Sequence, residues 1–515
     1  MNRRDFLGTG LGSVVAATTS ATGAGAPDPA EAQPASSPPS TQDGVTSPAD
    51  VKLNVKPVMT NILHSDVWEG PCRWSAVSPE MEKAQAEKRF AGWAKQMKEG
   101  GFGRREDVQV LEPVHITFSE DFVLKPEQLD QLKPDLARAD AYFVYPSGSS
   151  VAAFEIARYA NRPILLTGLG CRNVDIAAYT RNMGFEALVP ADGKELDAAL
   201  SLLRARKVFR QTRVLFPTDL GLPASCSVGS IWDLESLQKR HGIVVTKITY
   251  QELADEMDRT MADQPKAEEA GRLADELLRG ADKSFIDRQY VVRSVQFYQA
   301  VTRLMKRHGS NAFTIECFEF CSSRLPDKWK IVPCLVHALL KDQQCASSCE
   351  ADLGSLLAMR LLMSVSGKSC HQGNSDPRGE GTFRINHSSP ALKMNGYDQP
   401  DLPYQLGRFV TGGWGTKVVI DFMDNEEKTL TVARVDPSAT KLLVLRGELV
   451  GASGWGKDLV GCSVEAVIKP PEGRADEFLK RRLDYGNHLQ WVYGDYADSM
   501  RQLGELLGME VEVIA

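Results

Sequence analysis

The chain has 515 residues, a formal net charge of −7 at pH 7 and 43% hydrophobic residues. This length predicts two or three domains rather than one. The acidic balance, with no basic stripe, argues against nucleic acid as a partner. Beyond the N-terminal region no apolar run reaches about 18 residues. We therefore expect no membrane insertion once a signal peptide has been removed.

The N-terminus carries the pattern of an export signal. Arg3 and Arg4 are followed by a Phe-Leu pair and a weakly apolar stretch rich in Gly, Ala and Thr, and small residues at 24–26 offer a cleavage site. This arrangement resembles a twin-arginine signal. We predict a signal peptide over residues 1–26, a Pro/Ser/Ala-rich disordered linker over residues 27–50 and export to the periplasm by the twin-arginine pathway.

The next part of the chain alternates strand patterns with amphipathic helix patterns. The clearest buried strand patterns lie at residues 140–146, 162–167, 213–217, 242–249 and 312–318. Strand, helix and strand at this spacing predict parallel strands joined by right-handed crossovers. We therefore expect two parallel-sheet α/β (Rossmann-like) domains, over residues 51–205 and 206–370.

After residue 370 the pattern changes to short β segments separated by turn residues. These segments lie at residues 382–386, 408–411, 416–422, 429–435 and 441–450. Closely spaced strands with hairpin turns predict antiparallel pairing in a barrel or sandwich. The fold class is thus α/β, with a β-rich antiparallel C-terminal domain over residues 371–515.

Glu350 stands near the start of a predicted helix, and its position has two interpretations. Ser347 precedes it by three residues and an apolar run with helical spacing follows, which is the pattern of a capping box. Glu350 would then only satisfy a backbone N–H. Alternatively it belongs to a polar site with residues further along, where Asn374 and Asp376 lie in a Gly/Pro turn and His387 ends a strand.

Several carboxylate, amide and imidazole groups of the C-terminal part suit a divalent cation such as Mn²⁺ or Mg²⁺ better than a closed zinc site. They are Glu350, Asn374 or Asp376, His387 and His488. Aldose–ketose isomerisation needs a side chain that removes the proton next to a carbonyl and returns it to the neighbouring carbon. A metal ion holds the two oxygens and stabilises the enediolate. Spacing alone does not establish this chemistry.

Particular motifs resemble the L-fucose isomerase and L-arabinose isomerase family. They are the segment 333–353 with its Cys-Glu-Ala-Asp-Leu end, Gly-Asn at 373–374, Asn-His-Ser-Ser-Pro at 386–390, and Gly-Asn-His at 486–488 before Tyr-Gly-Asp-Tyr at 493–496. The resemblance is best over residues 312–515. It implies a metal-dependent aldose–ketose isomerase with Mn²⁺ or another divalent cation such as Mg²⁺, a small sugar as substrate and a homo-oligomer.

Carried over by position, the resemblance makes Glu350 a metal ligand and the acid/base carboxylate, and His488 a metal-binding histidine. It makes His387 a polar contact near substrate or metal. Asn487, beside His488, is expected at the substrate-binding site together with Asn374.

The second acidic ligand of that family falls in the turn with sequence His-Gln-Gly-Asn-Ser-Asp-Pro. Asn374 aligns there most naturally, which puts an amide where an acid is expected. Asp376 either replaces it through a shifted turn or caps the turn. Because an amide cannot act as a base, we predict Asp376 as the second catalytic residue and metal ligand, and Asn374 as a substrate contact.

Two other functions are compatible with the sequence. One is an exported, non-catalytic sugar-binding protein on an isomerase scaffold, which an amide in place of the second acid would favour. The other is an exported iron–sulfur redox protein that uses four cysteines, namely Cys317, Cys321, Cys345 and Cys349. The C-x3-C spacing of these cysteines is a weak metal signal.

Overall fold

The computed structural model describes residues 47–70, 73–121, 123–379 and 381–515. The predicted signal peptide and nearly all of the predicted linker lie outside these residues. In the part that is described, no helix combines the length and the apolar character needed to cross a bilayer.

The first sheet is parallel and lies between two layers of helices. Its elements are β1 (Leu53–Ile62), α1 (Pro79–Glu99), β2 (Val108–Val110), β3 (Val114–Phe118), α2 (Pro126–Leu129), β4 (Ala141–Pro146), α3 (Ser150–Ala160), β5 (Ile164–Leu165), α4 (Cys171–Asn182), β6 (Ala187–Leu188) and α5 (Gly193–Arg210). The order is β2–β1–β4–β5–β6, and β3 pairs with β1 further along. Strand β4 is apolar throughout because Ala141 and Phe143 face one core while Tyr142 and Val144 face the other.

The second sheet has four parallel strands in the order β11–β10–β7–β8. This region comprises β7 (Arg213–Pro217), α6 (Leu234–His241), β8 (Val244–Ile248), α7 (Tyr250–Ala262), α8 (Gln264–Gly280), β9 (Lys283–Ser284), α9 (Arg288–Arg307), β10 (Ala312–Ile315), α10 (Cys317–Ser322), α11 (Leu325–Trp329), α12 (Cys334–Asp342), β11 (Ser347–Cys349) and α13 (Leu353–Ser366). In parallel α/β sheets, ligands bind beyond the carboxyl ends of the strands. Here those ends carry Glu316 after β10 and Glu350 after β11.

The last part of the chain forms a closed antiparallel barrel. Its elements are β12 (His371–Gly379), β13 (Thr382–His387), β14 (Tyr404–Arg408), β15 (Thr416–Ile420), β16 (Thr429–Val435), β17 (Lys441–Ser453), β18 (Val464–Lys469), α14 (Ala475–Arg481), β19 (His488–Tyr493), α15 (Ala497–Leu506) and β20 (Glu510–Ile514). Six strands pair in the order β16–β19–β12–β13–β18–β17, and β17 pairs again with β16. Strand β20 adds to β17 in parallel, and β9, β14 and β15 form a separate small sheet. The predicted fold class is confirmed.

Helix α13 connects the second sheet to the barrel. Its buried leucines share one apolar core with Ala433 and Val435 of β16 and Val492 of β19. A helix that is apolar on nearly every side is one that is buried on every side. The helix ends at Gly367, whose φ of 64° is the left-handed conformation that glycine adopts without strain.

The capping-box interpretation of Glu350 is wrong. Ser347 lies inside β11, and the backbone turns sharply at Glu350 and Ala351, with φ values of 60° and 52°. Asp352 caps the helix instead, since its carboxylate accepts a hydrogen bond of 3.0 Å from the Ser355 N–H. The Glu350 side chain therefore has no capping role.

The turn predicted around Asn374 is also wrong, because residues 371–379 form strand β12 between β13 and β19. Gly373 is needed for close strand contact: a Cβ there would lie 2.7 Å from Ile385 Cγ2 and 2.8 Å from the Asn386 nitrogen. The proline of this segment lies at the end of the strand, where the register shifts between Pro377 and Gly379.

Candidate functional site

Glu350, His387 and His488 converge at the carboxyl edge of the second sheet, beside the barrel. Glu350 follows β11, His387 ends β13 and His488 begins β19. One ligand atom from each lies within 4.8 Å of the other two. The fold thus joins residues that are far apart in the chain.

The three side chains are arranged as a carboxylate facing two imidazoles. Glu350 Oε1 lies 3.4 Å from Nε2 of His387, and Oε2 lies 3.4 Å from Nε2 of His488. Both histidines are buried, and among the described residues neither Nε2 has a hydrogen-bond partner. Buried polar atoms are usually paired. Two unpaired imidazole nitrogens beside a carboxylate can act as ligands to a divalent cation such as Mn²⁺ or Mg²⁺, so these residues fit a metal ion.

A buried ion pair between Asp352 and Arg434 contacts the Nδ1 side of the His488 ring. Its Nδ1 lies 3.0 Å from Asp352 Oδ2, and Oδ1 of Asp352 accepts a hydrogen bond of 2.8 Å from Arg434 Nη1. Burial would raise the pKa of Asp352, but Arg434 and His488 hold it far below its usual range. A permanently ionised carboxylate at Nδ1 favours a proton on that nitrogen and leaves the Nε2 lone pair directed toward Glu350.

The electrostatics of Glu350 favour its ionised form. Burial acts to raise its pKa, but the nearby imidazoles of His387 and His488 outweigh burial and lower the pKa overall. Burial opposes protonation of His387, but the neighbouring Cys462 and Glu350 outweigh it and raise the His387 pKa to about 10, so a metal ion bound at its Nε2 would have to displace a proton. An ionised carboxylate serves both as a metal ligand and as a base.

A cavity of about 490 Å³ opens onto this group. Glu350 and His488 line it together with Asn374 and Asn487, and a loop at 226–229 closes another side. The volume is in the range of small-molecule sites, about 300–1,000 Å³. Both amide residues that the sequence assigns to substrate binding thus lie at the cavity.

Asn374 and Asp376 occupy different surroundings. Asn374 pairs directly with His488 across β12 and β19, and its Oδ1 accepts a hydrogen bond from the Asn487 amide. Asp376 lies two residues further along the strand, about 6.6 Å away. Its half-exposed carboxylate forms an ion pair of 3.2 Å with Arg384. Asp376 is therefore outside the group in which Glu350 and His488 meet.

Sequence reasoning missed part of the site. Asp352 has a local signal, since an Asp three residues before Ser355 at the start of a helix is a capping signal, but nothing local indicates its contact with His488. Arg434 is the one charged residue of strand β16, whose other residues are apolar or Thr, which indicates a buried partner for its charge. Ser227, whose Oγ lies 3.4 Å from Glu350 Oε2, sits in a loop with no sequence signal.

The four cysteines of the iron–sulfur hypothesis do not all converge. Cys317 and Cys349 lie close to each other and to Glu350, within 4.8 Å by their ligand atoms. Among the described residues, neither Cys321 nor Cys345 joins that group.

Comparison with known proteins adds one relative. No protein-family model matches the chain. The chain is 22% identical to a sulfoquinovose isomerase from Clostridium sp. (strain MSTE9) over 320 residues, which cover 61% of this chain and 68% of the relative. This similarity supports a relationship with sugar isomerases, and with it the predicted enzyme class, an isomerase.

Proposed function

We propose that the protein is a metal-dependent aldose–ketose isomerase of the L-fucose and L-arabinose isomerase type, acting on a small sugar. The observation that carries the proposal is the pair of buried, unpaired Nε2 atoms of His387 and His488, each 3.4 Å from Glu350 at a cavity wall. The similarity to a sulfoquinovose isomerase supports the same class of reaction. Mn²⁺ is the proposed cation.

In this proposal His387 joins Glu350 and His488 as a ligand, because its unpaired nitrogen faces the same carboxylate. The sequence analysis instead predicts Asp376 as the second acidic ligand, because the amide of Asn374, which aligns there, cannot act as a base. Asp376 is kept as the alternative acid, which would have to leave Arg384 to reach the cavity.

The residues of the chain divide the chemistry among them. A bound divalent cation would hold two substrate oxygens and stabilise the negative charge that develops on them. Glu350, held ionised, takes the proton from the carbon next to the carbonyl and gives it to the neighbouring carbon. Asn374 and Asn487 present amide donors and acceptors to sugar hydroxyls. Asp352 fixes the ring of His488.

The test begins with the purified protein, its metal content and a panel of sugars. Metal-stripped protein is assayed with Mn²⁺ on aldoses and ketoses that include L-fucose, L-arabinose and sulfoquinovose, and exchange of the substrate C–H proton with deuterated solvent is followed by NMR. We expect turnover only with metal. Glu350→Gln should lower the rate by at least about 10²-fold, since it removes the base.

Matched variants make this experiment decisive. Glu448→Gln makes the same change at an exposed position of β17 and should leave turnover and metal content unchanged. Asp376→Asn separates the two ligand sets: unchanged Mn²⁺ binding supports His387 as the third ligand, whereas loss of Mn²⁺ supports Asp376. Sugar binding by calorimetry without turnover or proton exchange across the panel would contradict the isomerase and favour a sugar-binding protein.

Export through the twin-arginine pathway and a homo-oligomeric state remain part of the proposal. The first depends on residues 1–26, which lie outside the described ranges, and the second depends on the family resemblance alone.

A further inference from the structure

A second group of metal-ligating atoms shares Glu350 with the first. Strands β10 and β11 are parallel neighbours, with Ile315 opposite Cys349. Cys317 opens helix α10 just beyond the end of β10. The two carboxyl ends therefore place both thiols side by side, and their sulfur atoms lie within 4.8 Å of each other and of a Glu350 oxygen.

We propose that Cys317, Cys349 and Glu350 form a binding site for a thiophilic divalent cation, Zn²⁺ or Cd²⁺, distinct from the proposed Mn²⁺ site. In tetrahedral zinc coordination, Zn–S bonds of about 2.3 Å and Zn–O bonds of about 2.0 Å put ligand atoms about 3.5–3.8 Å apart. Ligand atoms already within 4.8 Å of one another need only small side-chain movements to reach that geometry.

The chemistry of the donors separates the two sites. Thiolates select Zn²⁺ and related soft ions, whereas Mn²⁺ and Mg²⁺ prefer carboxylate, carbonyl and water oxygens. Among the described residues, the group with Cys317 and Cys349 offers two sulfurs and one carboxylate, and the group with His387 and His488 offers two imidazoles and the same carboxylate. Cys317 is half-buried, and Phe318, the next residue, lines the cavity, so an ion can enter from there.

Sharing Glu350 has a functional consequence, which rests on the proposed function. The carboxylate oxygens already face His387 and His488 at 3.4 Å. A Glu350 oxygen bound to a cation held by the two thiols is no longer available as a base, or as a ligand to a cation held by the two imidazoles. Zn²⁺ or Cd²⁺ should therefore inhibit isomerisation while Mn²⁺ supports it.

The experiment is a titration of the metal-stripped full chain with CdCl₂ under a phosphine reductant. We expect an ultraviolet thiolate-to-Cd²⁺ charge-transfer band that saturates at one equivalent and is not produced by MnCl₂. Cys317→Ser and Cys317→Ala should weaken apparent Cd²⁺ affinity by more than about tenfold. Removing a residue that only supports a metal ligand typically lowers metal affinity about 10–100-fold, and removing the ligand itself should cost at least as much. Cys349→Ser, at a buried position, should do the same if circular dichroism shows it folded.

Cys171→Ser is the matched control, an exposed cysteine at the start of α4 that should leave the band unchanged. A band of equal strength and affinity in the Cys317 variants, or its loss in Cys171→Ser, would overturn the site. Inhibition by Cd²⁺ should be weakened in Cys317→Ser to the same extent as binding. The absorbance measurement needs no substrate. If the protein shows no turnover, the proposed function is refuted, but the Cd²⁺ titration still shows whether this site exists.

Discussion

Asp352→Asn tests the central support of the site. The Asp352 carboxylate lies between His488 Nδ1 at 3.0 Å and Arg434 Nη1 at 2.8 Å, and all three side chains are buried. An amide keeps the capping acceptor for Ser355 but leaves the Arg434 charge without its counterion. Breaking a buried pair on one side costs about 3–5 kcal/mol. We expect that loss in the free energy of unfolding.

The same change should weaken metal binding although no proposed metal ligand is substituted. A carboxylate behind a ligating histidine raises its basicity and fixes its ring, and its loss typically lowers metal affinity about 10–100-fold. The assay combines calorimetric titration of metal-stripped protein with Mn²⁺ and urea unfolding followed by circular dichroism. If Asp352→Asn does not fold, the double variant with Arg434→Gln removes both charges and should recover stability but not Mn²⁺ affinity.

Different results would contradict the predicted effect on metal binding and the predicted effect on stability. Folded Asp352→Asn with unchanged Mn²⁺ affinity would show that Asp352 does not orient His488. A loss of stability below about 1 kcal/mol would show that the pair with Arg434 is not a buried, desolvated ion pair. Asp376→Asn provides the exposed comparison, since its pair with Arg384 is half-exposed and should contribute about 0–1 kcal/mol.

Two further predictions concern the fold. Gly373→Ala places a Cβ 2.7 Å from Ile385 Cγ2 and 2.8 Å from the Asn386 nitrogen, so thermal unfolding should reveal a loss of about 1–3 kcal/mol, and an unchanged melting temperature would contradict the contact. Burial lowers the pKa of His241 from 6.5 to about 4 in the folded state. Between these two pH values the unfolded chain binds more protons than the folded one, so the free energy of unfolding falls as the pH falls, by about 2 kcal/mol at pH 5. His241→Gln should show a smaller drop in melting temperature between pH 7 and pH 5 than the unchanged protein, and an equal drop would refute the assignment.

Where local pattern determines structure, the sequence was a reliable guide. The strands predicted at 213–217 and 429–435 appear with those bounds as β7 and β16. Each is a short run rich in apolar and β-branched residues between helix-ending or turn residues, so neighbouring residues alone identify it. The order of parallel units before an antiparallel barrel follows from the same signals.

Long-range pairing decided what the sequence missed. Strand β12 contains two glycines and a proline, which locally indicate a turn, but closure of the barrel between β13 and β19 holds it extended. The misassigned turn also obscured the choice between Asn374 and Asp376. In a strand, the residue directly opposite His488 is fixed by register, and that residue is Asn374. A shift of two residues would require the whole ladder to slip.

The carboxylates that line the cavity restrict how a proton can move in it. Of the described lining residues only Glu350 and Asp352 carry one, and Asp352 is held ionised by Arg434 and His488. Asn374 cannot accept a proton. Under the proposed function, Glu350 must then remove the proton from one carbon and deliver it to the next on the same face of the substrate. The two oxygens of the Glu350 carboxylate face two different imidazoles. A small rotation of this carboxylate would present either oxygen to either carbon, which is consistent with a single base that serves both carbons.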